Sequence, residues 1–390
     1  MILPLLAADD VPRIVIPAPN QVSFGRVVAR LPRGTHRVVL LVDGKAVARR
    51  SSIGRRRITV RYQLPRRDAT LRILAIDSAG ARTRSSPVGP VFGLPAPAAP
   101  KPARSRRHNA LARALKRHLS SFSGTSGFYV RDLATGAGAS WNATARFPAG
   151  STLKLALALE ALRVSDGAPP ANSQLRRRLE SMILDSSNID TNELAVSIAG
   201  STSAASARVN VLMSRIGMTD SDLFGGYLVD DLERATRGLA TAAGIPHERP
   251  RLPPAIPLQT IDQPQLERGK HTTAADLARL FSAIHLAAGG RGPLAKHYRG
   301  EITPAEARYL LFLLTHTRGR GAKLEGLIPG ASVAHKAGWI STARHDAGIV
   351  YWKGGAFVAS VMTWNANGVG AASDTLAAKI ARTTLTTFRG

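Results

Sequence analysis

The sequence predicts an α+β protein in two parts. A small all-β, sandwich-like domain (residues 1–94) precedes a linker (95–109) and a larger domain (110–390), whose antiparallel sheet is built from both of its ends around a helical middle. Three observations carry this. From Ile14 to Leu94 the apolar pattern is short-period, broken by turn signals, with no helix-length stretch. Residues 95–107 have the Pro/Ala/Arg composition of an extended, exposed spacer. Beyond them, helix-period segments fill the middle, and strand-like runs stand at 127–133 and again at 332–364.

In order, strands are expected at 24–31, 36–42, 58–63 and 70–76, punctuated by Asp43-Gly44 and Ala79-Gly80. A helix over 110–119 leads to a strand at 127–133 that turns at Gly136. Helices follow from Ser151 and over 173–184, 191–198, 204–216, 230–242, 273–286 and 304–315. Strands at 332–340, 347–352 and 356–364 return before a closing helix over 371–385. The stretch from Phe224 to His271, with Pro246, Pro250 and Pro253-Pro254, is the least regular and reads as loop bordering a cleft.

The 390 residues are 44% hydrophobic, enough for one or two good cores. Lys+Arg 53 against Asp+Glu 26 gives a net charge of +27, which favours anionic surroundings. No zinc-finger, RNA-sheet or leucine-zipper pattern converts that charge into specific nucleic-acid binding, which leaves a solvated basic surface or non-specific contact with an anionic polymer, such as that of a cell wall. There is no cysteine, so disulfides and cysteine-based metal sites are excluded. No run of about 20 apolar residues appears, so no membrane span is expected. Met1 to Ala8 reads either as the tail of an export signal or as a first strand.

Chemistry concentrates in three places. Phe147-Pro148-Ala149-Gly150 delivers Ser151 to an almost wholly apolar helix, and Lys154 follows on the same face. Burial lowers a lysine's pKa, so Lys154 can take the serine proton; the alternative is a helix-capping Ser151 with a snorkelling Lys154. The polar knot from Asp185 to Glu193 presents Ser186 and Asn188 from a short turn, or else simply caps the next helix. Finally, Lys336-Ala337-Gly338 places a lysine on a strand whose small residues admit close approach by a substrate.

Ser151-Thr152-Leu153-Lys154, Ser186-Ser187-Asn188 and Lys336-Ala337-Gly338, in this order, resemble the Ser-x-x-Lys, Ser-Asp-Asn and Lys-Thr-Gly signature of the penicillin-recognising serine hydrolases, specifically the class A β-lactamase domain. Arg146 to Gly150 looks like the family's lead-in. Asn192 fits an asparagine that family members carry four residues after the second motif, and His271 to Leu277 resembles the exit of the family's omega loop. The resemblance covers about residues 110–390.

It implies an acyl-enzyme at Ser151, proton transfer by Lys154, a proton passed by Ser186 to the leaving nitrogen, and Lys336 tuning Ser186 and holding the substrate carboxylate. Asn188 would bind the substrate's side-chain amide. An oxyanion hole would join the Ser151 N–H to one just after Gly338, in the stretch Trp339 to Ser341. No metal and no cofactor is implied. Two departures matter. Ala337 lacks the hydroxyl that the family gives the substrate carboxylate, unless Ser341 or Thr342 replaces it. The family's Glu-x-x-Leu-Asn, which supplies the deacylation base, is not found between Gly217 and Thr272, where Glu267 is the candidate nearest Thr272.

The expectation is thus a monomeric class A-like β-lactamase, secreted or wall-associated in a bacterium. The alternatives are a penicillin-binding protein or D-alanyl-D-alanine peptidase, acting on stem-peptide-like substrates and deacylating slowly, and a non-catalytic wall-binding protein.

Overall fold

In the strand Arg57–Arg61, residues 57, 59 and 61 face solvent while Ile58 and Val60 are buried, the signature of a sheet with one wet face. This computed structural model describes residues 11–165, 167–229, 253–256, 268–318 and 323–390. Met1 to Ala8, the helix expected over 230–242, and Pro246 and Pro250 lie outside them. The chain divides into two compact units, residues 1–99 and 100–390. Among the described residues no helix is long and apolar enough to cross a membrane.

In the first unit, β1 (Arg13–Ile16), β3 (Arg26–Arg30) and β6 (Arg57–Arg61) form one sheet in the order β1-β3-β6. A second sheet runs β2-β9-β7-β4-β5, from β2 (Gln21–Ser23), β4 (Thr35–Val42), β5 (Lys45–Ser51), β7 (Asp68–Asp77) and β9 (Val88–Gly93), with β8 (Arg82–Arg84) paired to β7. Val27, Ala29, Ile58 and Val60 of the first sheet and Val38, Leu40, Leu71 and Ile73 of the second share one apolar core. Burying a side chain of this kind contributes about 1.5–3 kcal/mol.

In the second unit, the sheet order is β10-β12-β11-β17-β16-β15. The first three are β10 (Arg106–Arg107), β11 (Thr125–Asp132) and β12 (Ala137–Trp141); β15 (Ser332–Trp339), β16 (Ala343–Trp352) and β17 (Gly355–Trp364) come from the far end of the chain. The two ends meet where β11 runs antiparallel to β17, from Thr125↔Trp364 to Asp132↔Phe357. One face of the sheet packs on α1 (Asn109–Leu119) and α9 (Ala371–Arg389), through Leu111, Leu115, Leu376 and Ile380 against Phe128, Val130 and Phe357. Between the strand groups lie α2 (Lys154–Val164), α3 (Gln174–Leu184), α4 (Asn188–Ala199), α5 (Thr202–Arg215), α6 (Ala274–Ala287), α7 (Gly292–His297) and α8 (Pro304–Leu314). A small ladder joins β13 (Phe147–Pro148) to β14 (His271–Thr272). The sequence reads 95–109 as an exposed spacer, but Arg106–Arg107 pair in parallel with Ala137–Gly138.

Candidate active site

The lead-in to α2 is fixed from two sides. Phe147 and Pro148 pair with Thr272 and His271, and the Ala149 N–H donates to the Lys270 carbonyl at 2.9 Å. Gly150 turns the chain at φ +53°, after which short-range bonds tighten it: Thr152 N–H to the Ala149 carbonyl, 3.2 Å, and Lys154 N–H to the Ser151 carbonyl, 3.3 Å. Ser151 was expected in the first turn of the helix; it lies in this preceding turn, and the α-helix starts at Lys154. The Ser151 N–H has no acceptor among the described residues, as is usual for N–H groups ahead of a helix. Residues Lys154 to Leu162 are all buried, which explains a helix that is apolar on nearly every side.

Lys154, Ser186, Asn188 and Lys336 come together. Lys154 Nζ donates to the Ser186 carbonyl and to Asn188 Oδ1, each at 2.5 Å, and stands 3.5 Å from Ser186 Oγ. Lys336 Nζ reaches the same Ser186 Oγ at 2.8 Å and the Ala337 carbonyl at 3.1 Å. One hydroxyl therefore sits between two buried lysine side chains. Burial, helped by the nearby charge of Lys323 and opposed by Asp346, pulls the Lys336 pKa down to about 7. Ser186 itself holds φ +62°, a left-handed conformation that serine seldom adopts and that surrounding contacts must maintain. Ser187 then caps α4 by accepting from the Asp190 N–H at 3.1 Å. The knot thus does both things the sequence allowed: it caps a helix and presents Ser186 and Asn188.

The turn of Ser151 is pressed against β15, an edge strand. A Cβ placed on Gly338 would lie 2.7 Å from the Ser151 nitrogen, and one on Gly150 would lie 2.8 Å from the Trp339 nitrogen. The Ile340 N–H donates to the Ala343 carbonyl at 2.8 Å, so by alternation Trp339 aims its own N–H at the open edge, next to Ser151. Trp339 is 67% exposed, and Ser341 is exposed in the turn that follows. Thr342 Oγ1 is buried with no hydrogen-bond partner among the described residues.

Sequence reasoning missed Tyr227 and Lys270. Asn192 pins Tyr227 by two backbone bonds, accepting from its N–H and donating to its carbonyl, both 2.7 Å. The Tyr227 ring then lies 4.7 Å from Lys154 Nζ and 4.7 Å from Lys270 Nζ, within cation–π range of both. Its hydroxyl is buried with no partner among the described residues, and that burial raises its pKa. Burial likewise lowers Lys270 to about 8, against the pull of Asp222. The sequence singled out Asn192 through the family resemblance, but not the Tyr227 backbone that it holds. Glu267 lies outside the described residues. Among those residues no group of His, Asp or Glu side chains is arranged to hold a metal.

Solved structures share this arrangement at the level of the fold. "Structure of PBP-A" has a TM-score of 0.53 at 20% identity, over 73% of this chain and 98% of that one. The acyl-enzyme complex of a mutant of that protein with penicillin G follows at 0.51, also with 20% identity and 73% and 98% coverage. A representative class A β-lactamase from Bacteroides cellulosilyticus gives 0.50 at 17% identity, over 72% and 97%. No curated protein matches the chain. The family model described as "Beta-lactamase enzyme family" matches residues 110–168 and 163–388, a span that holds Ser151, Lys154, Ser186, Asn188 and Lys336, and the chain belongs to that family.

Proposed function

We propose that this protein is a serine hydrolase that opens β-lactam-type cyclic amides through an acyl-enzyme on Ser151. The observation that carries the reading is the Ser186 hydroxyl held between Lys154 and Lys336, at 3.5 and 2.8 Å. Lys154 takes the proton as Ser151 Oγ attacks the carbonyl. The N–H groups of Ser151 and Trp339 hold the developing oxyanion beside Gly338. Ser186, polarised by Lys336, passes its proton to the ring nitrogen as the C–N bond breaks and takes in its place the proton that Lys154 received from Ser151, across the 3.5 Å between them. Charged Lys336 holds the substrate carboxylate, with Ser341 at the strand end, and Asn188 binds the side-chain amide. A structurally similar protein, in a mutant form, carries penicillin G as an acyl-enzyme, which supports the same class of ligand.

Hydrolysis of the ester is the slower step in this reading. The Tyr227 ring faces Lys154 Nζ at 4.7 Å, so a water beside that nitrogen competes with an aromatic face held by Asn192. This favours the second reading, a penicillin-binding protein or D-alanyl-D-alanine peptidase that accumulates its acyl-enzyme. Either activity belongs outside the cytoplasm, where the wall peptides and their analogues are met. The test is labelling with a fluorescent penicillin followed by intact mass. One adduct at Ser151 is expected, absent in Ser151→Ala and about 10²–10⁴-fold slower in Lys154→Ala; undiminished labelling of Ser151→Ala overturns the assignment. Burst kinetics on a chromogenic cephalosporin then separate the readings, since rapid steady turnover selects the β-lactamase and a burst alone selects the trap.

A further inference from the structure

The first unit carries far more positive charge than its fold requires. Over residues 11–99, sixteen arginines and one lysine stand against three carboxylates, Asp43, Asp68 and Asp77. All three acids lie on or beside β4 and β7, and Asp43 is already bound to Arg67 at 2.7 Å. The other sheet, β1-β3-β6, has arginines in register on its solvent face. Arg13 pairs with Arg30, Arg30 with Arg57, and Arg26 with Arg61, and all five are exposed. Directly opposed residues on one face stand about 4.5–5.5 Å apart at Cβ, where like charges oppose strand pairing. None of the five has an ion-pair partner among the described residues.

Beside the lower pair, Arg26 and Arg61 join Thr59 and, from β5 of the other sheet, Arg50 to line an open cleft of about 570 Å³. Three guanidinium groups and one hydroxyl face it, with no carboxylate to neutralise them. Guanidinium forks match phosphate oxygens bidentately and remain charged at every accessible pH.

We propose that this arginine face, centred on Arg26, Arg50, Thr59 and Arg61, binds a linear polymer of phosphodiester groups without bases or acyl chains, of the polyol-phosphate kind. The surface itself argues against the other polyanions. Base stacking needs exposed aromatic rings, and Phe24, Tyr62 and Phe92 of this unit are all half-buried. Insertion into a lipid surface needs an apolar face, and the large exposed apolar residues here are Val15 and Ile53 alone among the described residues. What the face offers is spaced guanidinium groups on a rigid sheet. The site is independent of the Ser151 chemistry and uses none of its residues.

The test uses the full chain with poly(glycerol phosphate) as the probe, titrated from about 0.05 to 0.3 M salt. Binding should weaken with rising salt, since each phosphate contact releases about one counterion. The triple variant Arg26→Gln, Arg50→Gln, Arg61→Gln should bind at least tenfold more weakly, with a shallower salt slope. It should melt no lower than the parent, because it relieves like-charge pairing. A charge-matched control, Arg177→Gln, Arg299→Gln, Arg382→Gln, from exposed positions of the second unit, should bind within about twofold of the parent. Equal loss in both variants, no binding at the lowest salt, or tighter binding to duplex DNA or to anionic-lipid vesicles would each overturn the proposal. Penicillin labelling at Ser151 should be unchanged in the triple variant, which separates failure here from failure of the catalytic reading.

Discussion

In the proposed acylation, Lys336 is the residue whose protonation decides how the site meets an anionic substrate. Its pKa stands near 7 because burial, and then the charge of Lys323, penalise the ammonium form, while Asp346 restores part of it. Charged below that value, Lys336 can hold a carboxylate; above it, the neutral amine keeps its place beside Ser186 but loses that attraction. The second-order rate of acylation, which reports the free enzyme, should therefore fall as pH rises through about 7. Lys336→Arg should move this fall beyond the measurable range, because a guanidinium stays charged. A flat profile from pH 6 to 8.5 in the parent would remove Lys336 from carboxylate binding. Lys154, Ser186, Asn188 and Lys336, which the structure brings together, were named from the sequence because the order of their motifs resembles a family signature. Tyr227 was not, since its place beside Lys154 depends on Asn192 gripping the backbone of a loop 35 residues away. No local pattern encodes such a contact.

At the scale of elements, the candidate site is a joint between a turn and a strand edge, and the two fit together only because glycine stands on both sides. At Gly338 a methyl group would meet the Ser151 nitrogen at 2.7 Å, the Thr152 nitrogen at 2.8 Å and the Ala149 carbonyl at 2.9 Å, all backbone atoms that no rotamer change can move. Gly338→Ala should push the turn off the strand, at a cost of about 1–3 kcal/mol in stability. It should also slow acylation at least 10²-fold by pulling apart the Ser151 and Trp339 N–H groups. Stability within error of the parent together with normal labelling would show that the two N–H groups do not act as a pair. The sequence marked Gly338 as a point of close approach for a substrate but not as the place where the backbone of the Ser151 turn packs. The start of α2 was misplaced by three residues for a related reason: helix periodicity continues through Ser151 to Leu153, and what tightens the chain there is Gly150 and the bond from Thr152 back to Ala149.

Across the whole molecule, the change in composition after Leu94 was legible, but the point at which the second unit begins was not. Two adjacent arginines show no alternation, so β10 leaves no trace in the pattern. Its pairing instead rests on backbone bonds, Arg106 N–H to the Gly136 carbonyl at 2.8 Å and His108 N–H to the Gly138 carbonyl at 2.7 Å. Gly136 is required there, because a Cβ would fall 1.8 Å from the Arg104 carbonyl oxygen. His108 adds a cap to α1, its Nδ1 accepting from the Leu111 N–H at 3.1 Å. A fragment of residues 100–390 should fold and be labelled at Ser151 like the full chain, since the units divide between residues 99 and 100. A fragment of residues 110–390 keeps every active-site residue but loses the two strand bonds and the cap, together about 2–4 kcal/mol. It should melt lower than residues 100–390 by roughly 2–4 °C for each kcal/mol lost. Its labelling rate below the transition should be unchanged, because β10 lies at the opposite edge of the sheet from β15. Equal melting of the two fragments would return residues 100–109 to the role of spacer.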